Sequence, residues 1–172
     1  KPNTFLVIPE GIISECIVLF EFSLKCAKAL PSYQFIWRLH PSLSFNQLKN
    51  KNIIFNNLPI NIHLSHKTLN EDIQISDNVI YRGSTAVISA INAGLRPVYF
   101  SVKDEIPNDL LFDQTVGKLK VSNVTEFKSL TKKRIKKSDR IELIRFSNNF
   151  YTPLNYFLFN SIIKNQIRPN EK

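Results

Sequence analysis

Three short segments of the chain carry residue types that bind phosphate groups or transfer protons. In the first, Arg38 and His40 precede Pro41, so a guanidinium fork and an imidazole stand two residues apart. Such a pair can hold a phosphate, with histidine as hydrogen-bond donor and arginine as bidentate clamp. The alternative is a histidine that is satisfied locally while Pro41 turns the chain. The residue types alone leave both interpretations open.

The second segment is Gly83-Ser84-Thr85, which follows an apolar run and precedes a helical pattern. The free N–H groups of a helix's first turn, together with two hydroxyl groups, make an anion site. The alternative is that Ser84 only caps the helix. Phosphate contact and capping alone are therefore the two interpretations of this segment.

In the third segment, Glu10 and Glu15 flank Gly11 at the first turn of the chain. A carboxylate near a helix N-terminus is stabilised by the helix dipole alone, which is a sufficient structural explanation. The functional alternative is binding of sugar hydroxyl groups or acid–base catalysis. Glu10 and Glu15 are the candidate catalytic carboxylates of this sequence.

Other familiar site patterns are missing from the sequence. His63 and His66 lie three residues apart, but no further Asp, Glu, His or Cys completes a metal-ligand set near them, so we expect no metal. The sequence contains no GxSxG, HExxH, GxxxxGK[ST] or GxGxxG motif. A self-contained hydrolase, ATPase or GxGxxG-type dehydrogenase is therefore not supported.

Alternating strands and helices must position these segments. Short apolar runs predict strands at residues 5–8, 33–39, 53–55, 60–64, 78–82, 96–102 and 119–121. Apolar residues spaced by three and four predict helices at residues 13–30, 44–51, 69–75, 84–93, 124–130, 139–146 and 154–165. This alternation predicts an α/β fold, a Rossmann-like doubly wound parallel sheet, forming one domain over residues 1–172. Ligands of such sheets bind beyond the carboxyl ends of the strands, where the three segments lie.

Composition limits the class of protein further. Hydrophobic residues make up 43% of the 172 residues and include 13 Phe, which excludes a disordered chain. No apolar run approaches the length of about 20 residues needed to span a membrane, and no signal-peptide pattern is present. Cys16 and Cys26 lie ten residues apart on one predicted helix and cannot bridge, so we expect buried thiols in a reducing compartment. These features predict a cytoplasmic location, with a peripheral position at the inner membrane face as an extension of it.

Positive charge is concentrated in one segment. The chain carries a formal net charge of +9, and residues 128–140, here called the basic segment, hold seven Lys or Arg against Asp139. Such a segment is commonly a solvated helix end, and an anionic membrane surface or another polyanion is the functional alternative. Because no aromatic residue interleaves with these cations, we expect no specific nucleic-acid partner.

Two stretches resemble a known family when taken together. Residues 78–100, NVIYRGSTAVISAINAGLRPVYF, resemble the nucleotide-binding segment of GT-B glycosyltransferases, in which a strand leads into Gly-Ser-Ser/Thr, a helix and Gly-x-Pro-Val. Residues 33–41, YQFIWRLHP, resemble the His-Pro motif of bacterial sialyltransferases and of the transferases that build capsule and teichoic-acid polymers. The order of the two motifs also fits. The resemblance covers roughly residues 3–131.

The resemblance implies roles for particular residues. His40 would contact the donor phosphate, and Ser84 and Thr85 would hold that phosphate at the helix start. Gly11 would let the donor or acceptor approach the first turn, and the segment that contains His66 would lie near the nucleobase. The substrate-binding candidates are therefore Gly11, Arg38, His40, His66, Gly83, Ser84, Thr85 and Ser89.

Ser89 marks a departure from the family pattern. Many GT-B members carry Glu or Asp five residues before the helix-ending glycine, which is Gly94 here, and bind the ribose hydroxyls with it. A serine at this position still forms hydrogen bonds but lacks the charge-assisted bidentate contact. The nucleotide of the donor therefore stays open, and a member that has lost activity is an alternative.

The resemblance also implies a missing partner. GT-B enzymes have two Rossmann-like lobes, and the motifs of this chain belong to the C-terminal, donor-binding lobe. The implied function is transfer of a sugar from a CMP- or UDP-type donor to a surface glycan, with the N-terminal lobe supplying the catalytic base and the helix at 153–165 packing toward it. No metal or cofactor is implied. The alternatives are a GT-B-like sugar-nucleotide epimerase or hydrolase and a degenerate, non-catalytic interaction module.

Overall fold

A computed structural model describes residues 3–150 and 156–167, with side chains described as far as residue 163. The strands are β1 (Thr4–Ile8), β2 (Gln34–Trp37), β3 (Ile62–Leu64), β4 (Asn78–Tyr81), β5 (Arg96–Phe100) and β6 (Leu119–Val121). The helices are α1 (Ile13–Ala29), α2 (Phe45–Lys51), α3 (Leu69–Gln74), α4 (Ala86–Asn92), α5 (Val124–Leu130), α6 (Lys137–Asn148) and α7 (Tyr156–Ile167). The predicted start of the last helix at residues 153–155 lies outside the described residues.

All six strands pair in parallel, in the order β3-β2-β1-β4-β5-β6. The chain adds strands on one side of β1 and then crosses over to add the others on the far side. This is the strand order of a doubly wound Rossmann-like sheet. The predicted fold class is therefore confirmed.

Two apolar cores cover the two faces of the sheet, which explains why the strands are apolar at successive positions. Within β1, Phe5 and Val7 pack into a core with α1 and α5, whereas Leu6 and Ile8 pack into a second core with α4 and α6. Stacked aromatic rings fill the first core, including Phe20 on Trp37, with ring centroids 4.2 Å apart. A sheet buried on both faces leaves its carboxyl edge as the place where polar groups can gather.

The predicted strand at residues 53–55 is wrong. Ile53–Asn56 form a single turn of 3-10 helix, begun by Asn52, whose side chain accepts a hydrogen bond from the N–H of Ile54 at 3.1 Å. Of the apolar residues in this turn only Phe55 is buried. A cap and one buried ring outweigh the weak strand preference of three apolar residues.

Both cysteines are free and buried, as predicted. Burial in α1 raises the pKa of the Cys16 thiol to about 12 and raises the pKa of Cys26 as well, because the thiolate is poorly solvated there. Among the described residues, no helix has both the length and the apolar character needed to cross a membrane.

Candidate functional site

The crevice of this sheet lies between the carboxyl ends of β1 and β4, where the strand order reverses. Ile8 pairs with Tyr81 at the ends of the two strands, so the segments that leave them start side by side. The structure thereby brings Glu10 next to Gly83. Ligands of doubly wound sheets bind at such a reversal point.

Glu10 joins the two strand ends. Its Oε1 accepts hydrogen bonds from the N–H of Gly83 at 3.0 Å and from Nδ2 of Asn108 at 3.0 Å. A Cβ at position 83 would overlap both the Glu10 carboxylate and the Asn108 amide. A larger residue at position 83 would therefore displace these two side-chain ends, and Glu10 serves first to hold the crevice together.

His40 lies directly against the first turn of the crevice. A Cβ at Gly11 would come within 2.9 Å of His40 Nδ1, so the imidazole packs where a larger residue would have its side chain. Nδ1 accepts a hydrogen bond from the N–H of Ser42 at 3.2 Å and lies 2.8 Å from the Ser42 hydroxyl. A neutral ring that accepts at Nδ1 carries its proton on Nε2. The His40 side chain is exposed and offers that Nε2–H as a donor at the crevice.

Arg82 is a crevice residue that the sequence reasoning missed. It is only 5% exposed, and its guanidinium forms ion pairs with Glu105 (Nη2 to Oε2, 2.6 Å) and Glu15 (Nε to Oε2, 3.2 Å). Its Nη1 is buried without a hydrogen-bond partner among the described residues. The signal in the sequence was a charged residue at the end of an otherwise apolar parallel strand, next to Gly83.

This pairing changes the interpretation of Glu15. The carboxylate of Glu15 faces Arg82, with 29% of its side chain exposed. Charge neutralisation of a buried guanidinium is a structural role, because an unpaired buried cation is costly. The structure gives Glu15 this partner in addition to any favourable effect of the helix dipole.

Ser84 and Thr85 connect β4 to α4 at the same edge. Thr85 occupies the position before the helix and makes no side-chain cap, and it is exposed while Ser84 is half-buried. Ser84 therefore does not occupy the cap position that the alternative interpretation gave it. Ser84 and Thr85 are the two residues after Gly83, at the carboxyl end of β4 where the crevice lies.

The loop that follows β5 folds back over this edge and is anchored at Asp109. Asp109 accepts hydrogen bonds from the Tyr81 hydroxyl at 2.6 Å and the N–H of Leu111 at 3.0 Å, and it forms an ion pair with Lys118 at 2.8 Å. Burial, with a contribution from the Asp109 carboxylate, raises the pKa of Tyr81 far above its ordinary value, so its hydroxyl stays a donor. This anchor carries Glu105 and Asn108 to their partners at the crevice.

Three of the predicted site residues have other surroundings. Arg38 Nη1 donates to the Asp72 carboxylate at 2.9 Å and to the carbonyl oxygen of Lys67 at 2.5 Å, so it ties the end of β2 to α3. His66 is exposed on the loop after β3. Ser89 lines a cavity of about 450 Å³ together with residues of α3, such as Asn70 and Gln74. Their roles toward a nucleotide stay predictions, and the crevice itself is formed by Glu10, Gly11, His40, Arg82, Gly83 and Asn108.

Metal ligands do not gather in the part of the chain that the structure describes. No three His, Cys, Asp or Glu side chains there come close enough together to hold an ion. His63, for example, has its Nε2 2.7 Å from the Gln34 side-chain oxygen.

Comparisons with known proteins identify the fold. No family model and no curated protein matches the sequence. Solved structures do match. The pneumococcal O-GlcNAc transferase GtfA in complex with UDP and GlcNAc is 13% identical, with a TM-score of 0.59 over 98% of this chain and 37% of that chain. Acinetobacter baumannii MurG is 12% identical, with a TM-score of 0.59 over 96% of this chain and 52% of that chain. The glycosyltransferase SnogD from Streptomyces nogalater is 14% identical, with a TM-score of 0.57 over 86% of this chain and 40% of that chain.

The structural neighbours are glycosyltransferases of the GT-B fold, as the resemblance implied, and this chain has the fold of one of their Rossmann-like domains. The chain spans about two fifths to one half of the length of these three enzymes. At this level of sequence identity, the likeness defines the architecture, and the chemistry must be argued from the crevice.

Proposed function

We propose that this chain is the donor-binding lobe of a GT-B glycosyltransferase, which transfers a sugar from a nucleotide-sugar to a glycan. The observation that carries the proposal is the packing of His40 on Gly11 at the point where the strand order reverses. A histidine fixed as an Nε2–H donor, at the edge where Rossmann-like sheets bind nucleotides, suits the phosphate of a departing nucleotide.

The chemistry assigned to the lobe is stabilisation of the leaving group. As the bond between the sugar and the phosphate oxygen breaks, negative charge develops on the nucleotide. Hydrogen bonds from His40 Nε2 and from the Ser84 and Thr85 hydroxyls would stabilise that charge, and such preorganised donors act most strongly in a site closed to water. A second lobe would have to supply the base that activates the acceptor hydroxyl.

The particular donor is the finer part of the proposal. One structural neighbour was solved with UDP and GlcNAc, and the sequence motifs resemble those of transferases that use CMP- or CDP-linked donors. Serine rather than a carboxylate at position 89 removes the charged ribose contact that many GT-B members have. We therefore propose a pyrimidine nucleotide, CMP or UDP in type, with a bacterial surface glycan as acceptor.

The partner of this lobe is a second Rossmann-like lobe, as in the two-lobed enzymes that the chain matches in part. The side chains of α7 expose apolar surface, with Phe157 at 91% and Tyr156 at 69%. Such surface favours docking against another apolar surface. The basic segment adds a net positive charge that favours approach to an anionic membrane surface, which sedimentation with anionic vesicles at low and high salt would test.

Calorimetric titration of the chain with CMP, CDP, UDP and GDP tests the proposed function. We expect one nucleotide to bind selectively, and His40→Ala to weaken its binding about tenfold because one hydrogen bond to a charged group is lost. His63→Ala is the matched control, because His63 is another exposed histidine whose side chain contacts Gln34 away from the crevice. Equal affinity of the His40→Ala and unsubstituted chains would contradict the role of His40.

The alternative functions give different results in this titration or in an assay with a nucleotide-sugar and no acceptor. A degenerate interaction module would bind none of the four nucleotides, alone or joined to a second lobe. A sugar-nucleotide epimerase or hydrolase would bind a nucleotide but would release or invert the sugar without an acceptor. Glu10 and Glu15, the candidate carboxylates for that chemistry, already bind Gly83, Asn108 and Arg82.

A further inference from the structure

A polar cavity lies at the amino ends of the parallel strands, on the side of the sheet opposite the carboxyl ends that form the crevice. Its volume is about 730 Å³, and its walls come from the residues that precede the strands and from the loop between α5 and α6. Asn3 precedes β1, Tyr33 precedes β2, and Arg96 begins β5. Because the strands are parallel, these positions form the amino-terminal edge, so the cavity is separated from the crevice by the length of the sheet.

The charge of this cavity is strongly positive. Five cationic side chains line it, and Asp77 is the one carboxylate among its described lining residues: the cations are Arg96, Lys132, Lys133, Arg134 and Arg140. Asp77 is already engaged, since its carboxylate accepts a hydrogen bond from the N–H of Thr4 at 3.1 Å. The Asp139 carboxylate also interacts electrostatically with Arg96, so two carboxylates face five cations and balance only part of their charge.

Arg96 links the basic segment to the sheet. Its Nη1 donates to the carbonyl oxygen of Lys133 at 2.5 Å, which fixes the loop that carries the neighbouring lysines. Its Nε is buried without a hydrogen-bond partner among the described residues. Arg140 reaches the same cavity from α6, with its aliphatic stem packed against Gly94. The hydrogen bond from Arg96 thus holds the loop in place, and Arg140 adds its charge from α6.

We propose that this cavity is a binding site for an anionic ligand that carries more than one phosphate charge. Guanidinium groups bind phosphate oxygens in a bidentate manner, and ammonium groups add point charges around them. A cavity of this size lies within the range of ordinary small-molecule sites. Either a soluble polyphosphate or the phosphomonoester headgroup of an anionic lipid supplies this chemistry.

The cavity is separate from the proposed donor site, because the two sites share no residue and lie at opposite ends of the strands. Loss of nucleotide binding would leave this cavity unchanged. It also differs from a general attraction of the basic segment to negative surfaces, since only part of that segment lines the cavity. Lys136 and Lys137 belong to the same segment and do not line it.

This division of the segment provides a matched pair of variants. Lys132→Gln/Lys133→Gln removes two charges from the cavity, and Lys136→Gln/Lys137→Gln removes two charges outside it. All four lysines are exposed, so both variants should fold. We would titrate each with tripolyphosphate at about 0.15 M salt, where charges farther apart than a Debye length are screened.

We expect tripolyphosphate to bind, with an affinity about tenfold lower in Lys132→Gln/Lys133→Gln and changed by less than about threefold in Lys136→Gln/Lys137→Gln. Equal weakening in the two variants would overturn the proposal, because it would show a response to net charge. Binding that disappears in His40→Ala would overturn it as well, because the anion would then occupy the crevice.

A second arm separates the two sources of phosphate. If tripolyphosphate does not bind at about 1 mM, vesicles with phosphatidic acid are compared with vesicles that hold the same fraction of phosphatidylglycerol. A preference for phosphatidic acid that is lost only in Lys132→Gln/Lys133→Gln supports the proposal with a lipid headgroup as ligand. The absence of such a preference, together with the absence of tripolyphosphate binding, overturns it.

Discussion

The imidazole of His40 and the backbone of Gly11 are in direct contact, although they leave two different strands. A methyl group at Gly11 would come within 2.9 Å of His40 Nδ1. Real Cβ atoms do not approach other atoms this closely without displacement, because such overlap is strongly repulsive. The position of the His40 donor at the crevice therefore depends on glycine at position 11.

Gly11→Ala tests this dependence. The added methyl group should displace the imidazole and weaken nucleotide binding about three- to tenfold, because one hydrogen bond to a charged phosphate is lost or misaligned. Gly11 is exposed, so we expect little loss of stability in urea unfolding.

A double-mutant cycle supplies the control for this prediction. In the His40→Ala background, Gly11→Ala should have no further effect on nucleotide affinity, because no imidazole remains to be displaced. Fully additive effects of the two substitutions would contradict the proposed mechanism.

Gly83→Ala should destabilise the fold, in contrast to Gly11→Ala. The new methyl group would overlap the Asn108 amide and the Glu10 carboxylate, which join the loop after β5 to the end of β1. Displacement of these side-chain ends breaks the hydrogen bonds of Glu10, which costs about 1 kcal/mol in the free energy of unfolding, measurable by urea denaturation. Asn108→Ala removes one of the two overlaps, so Gly83→Ala should cost less in that background than in the unsubstituted chain. An equal cost in both backgrounds would show that the overlap is not its cause.

The sequence was informative where local patterns decide the structure. Successive apolar residues in β1, such as Phe5 and Leu6, predict a strand buried on both faces, and the structure places them in the two separate cores. The positions of Gly11 and Gly83 directly after predicted strands also pointed to the right edge of the sheet. The prediction of a strand was wrong at residues 53–55, where the side chain of Asn52 caps a turn of 3-10 helix.

Contacts that join distant parts of the chain could not be predicted in this way. Glu10 and Asn108 are 98 residues apart, and their contact depends on how the loop after β5 folds back. Arg82 becomes a crevice residue only because that loop brings Glu105 to it. Likewise, Arg38 forms an ion pair with Asp72 on α3, which no spacing in the sequence indicated.

Arg38 and Asp72 therefore provide a test of stability and affinity together. Asp72 is 1% exposed, accepts hydrogen bonds from the Ser65 hydroxyl and forms an ion pair with Arg38, whose side chain is 24% exposed. Removal of one partner from a buried ion pair costs up to about 3–5 kcal/mol, and partial exposure of Arg38 places Arg38→Ala nearer 1–2 kcal/mol. Thermal and urea unfolding measure this loss, with Lys67→Ala at the neighbouring exposed cation as the control.

Nucleotide affinity then separates the two roles of Arg38. If its guanidinium chiefly binds Asp72, the folded fraction of Arg38→Ala should bind nucleotide more tightly than His40→Ala does. A loss of affinity as large as that of His40→Ala would instead support the phosphate-binding role of Arg38 that the sequence predicts.

Part of the stability that is lost in acid should come from two carboxylates at helix N-termini, Glu71 in α3 and Glu126 in α5. Hydrogen bonds from the Thr68 side chain and backbone lower the pKa of Glu71, and hydrogen bonds from the Ser122 backbone and side chain lower the pKa of Glu126. A carboxylate whose pKa is lower in the folded state than in the unfolded state stabilises the fold above the unfolded pKa. That contribution is complete above the ordinary value of 4.5 and is lost as the pH falls through the lowered folded values.

Glu71→Gln/Glu126→Gln should make the unfolding free energy less dependent on pH below about 4.5, because the amide keeps an acceptor oxygen but does not titrate. Urea unfolding between about pH 3 and pH 6 measures this slope in the variant and in the unsubstituted chain. Glu142→Gln is the matched control, since Glu142 lies within α6 and its carboxylate pairs with the exposed Arg145 rather than with a helix start. Equal slopes in Glu71→Gln/Glu126→Gln and the unsubstituted chain would show that other carboxylates control the acid transition.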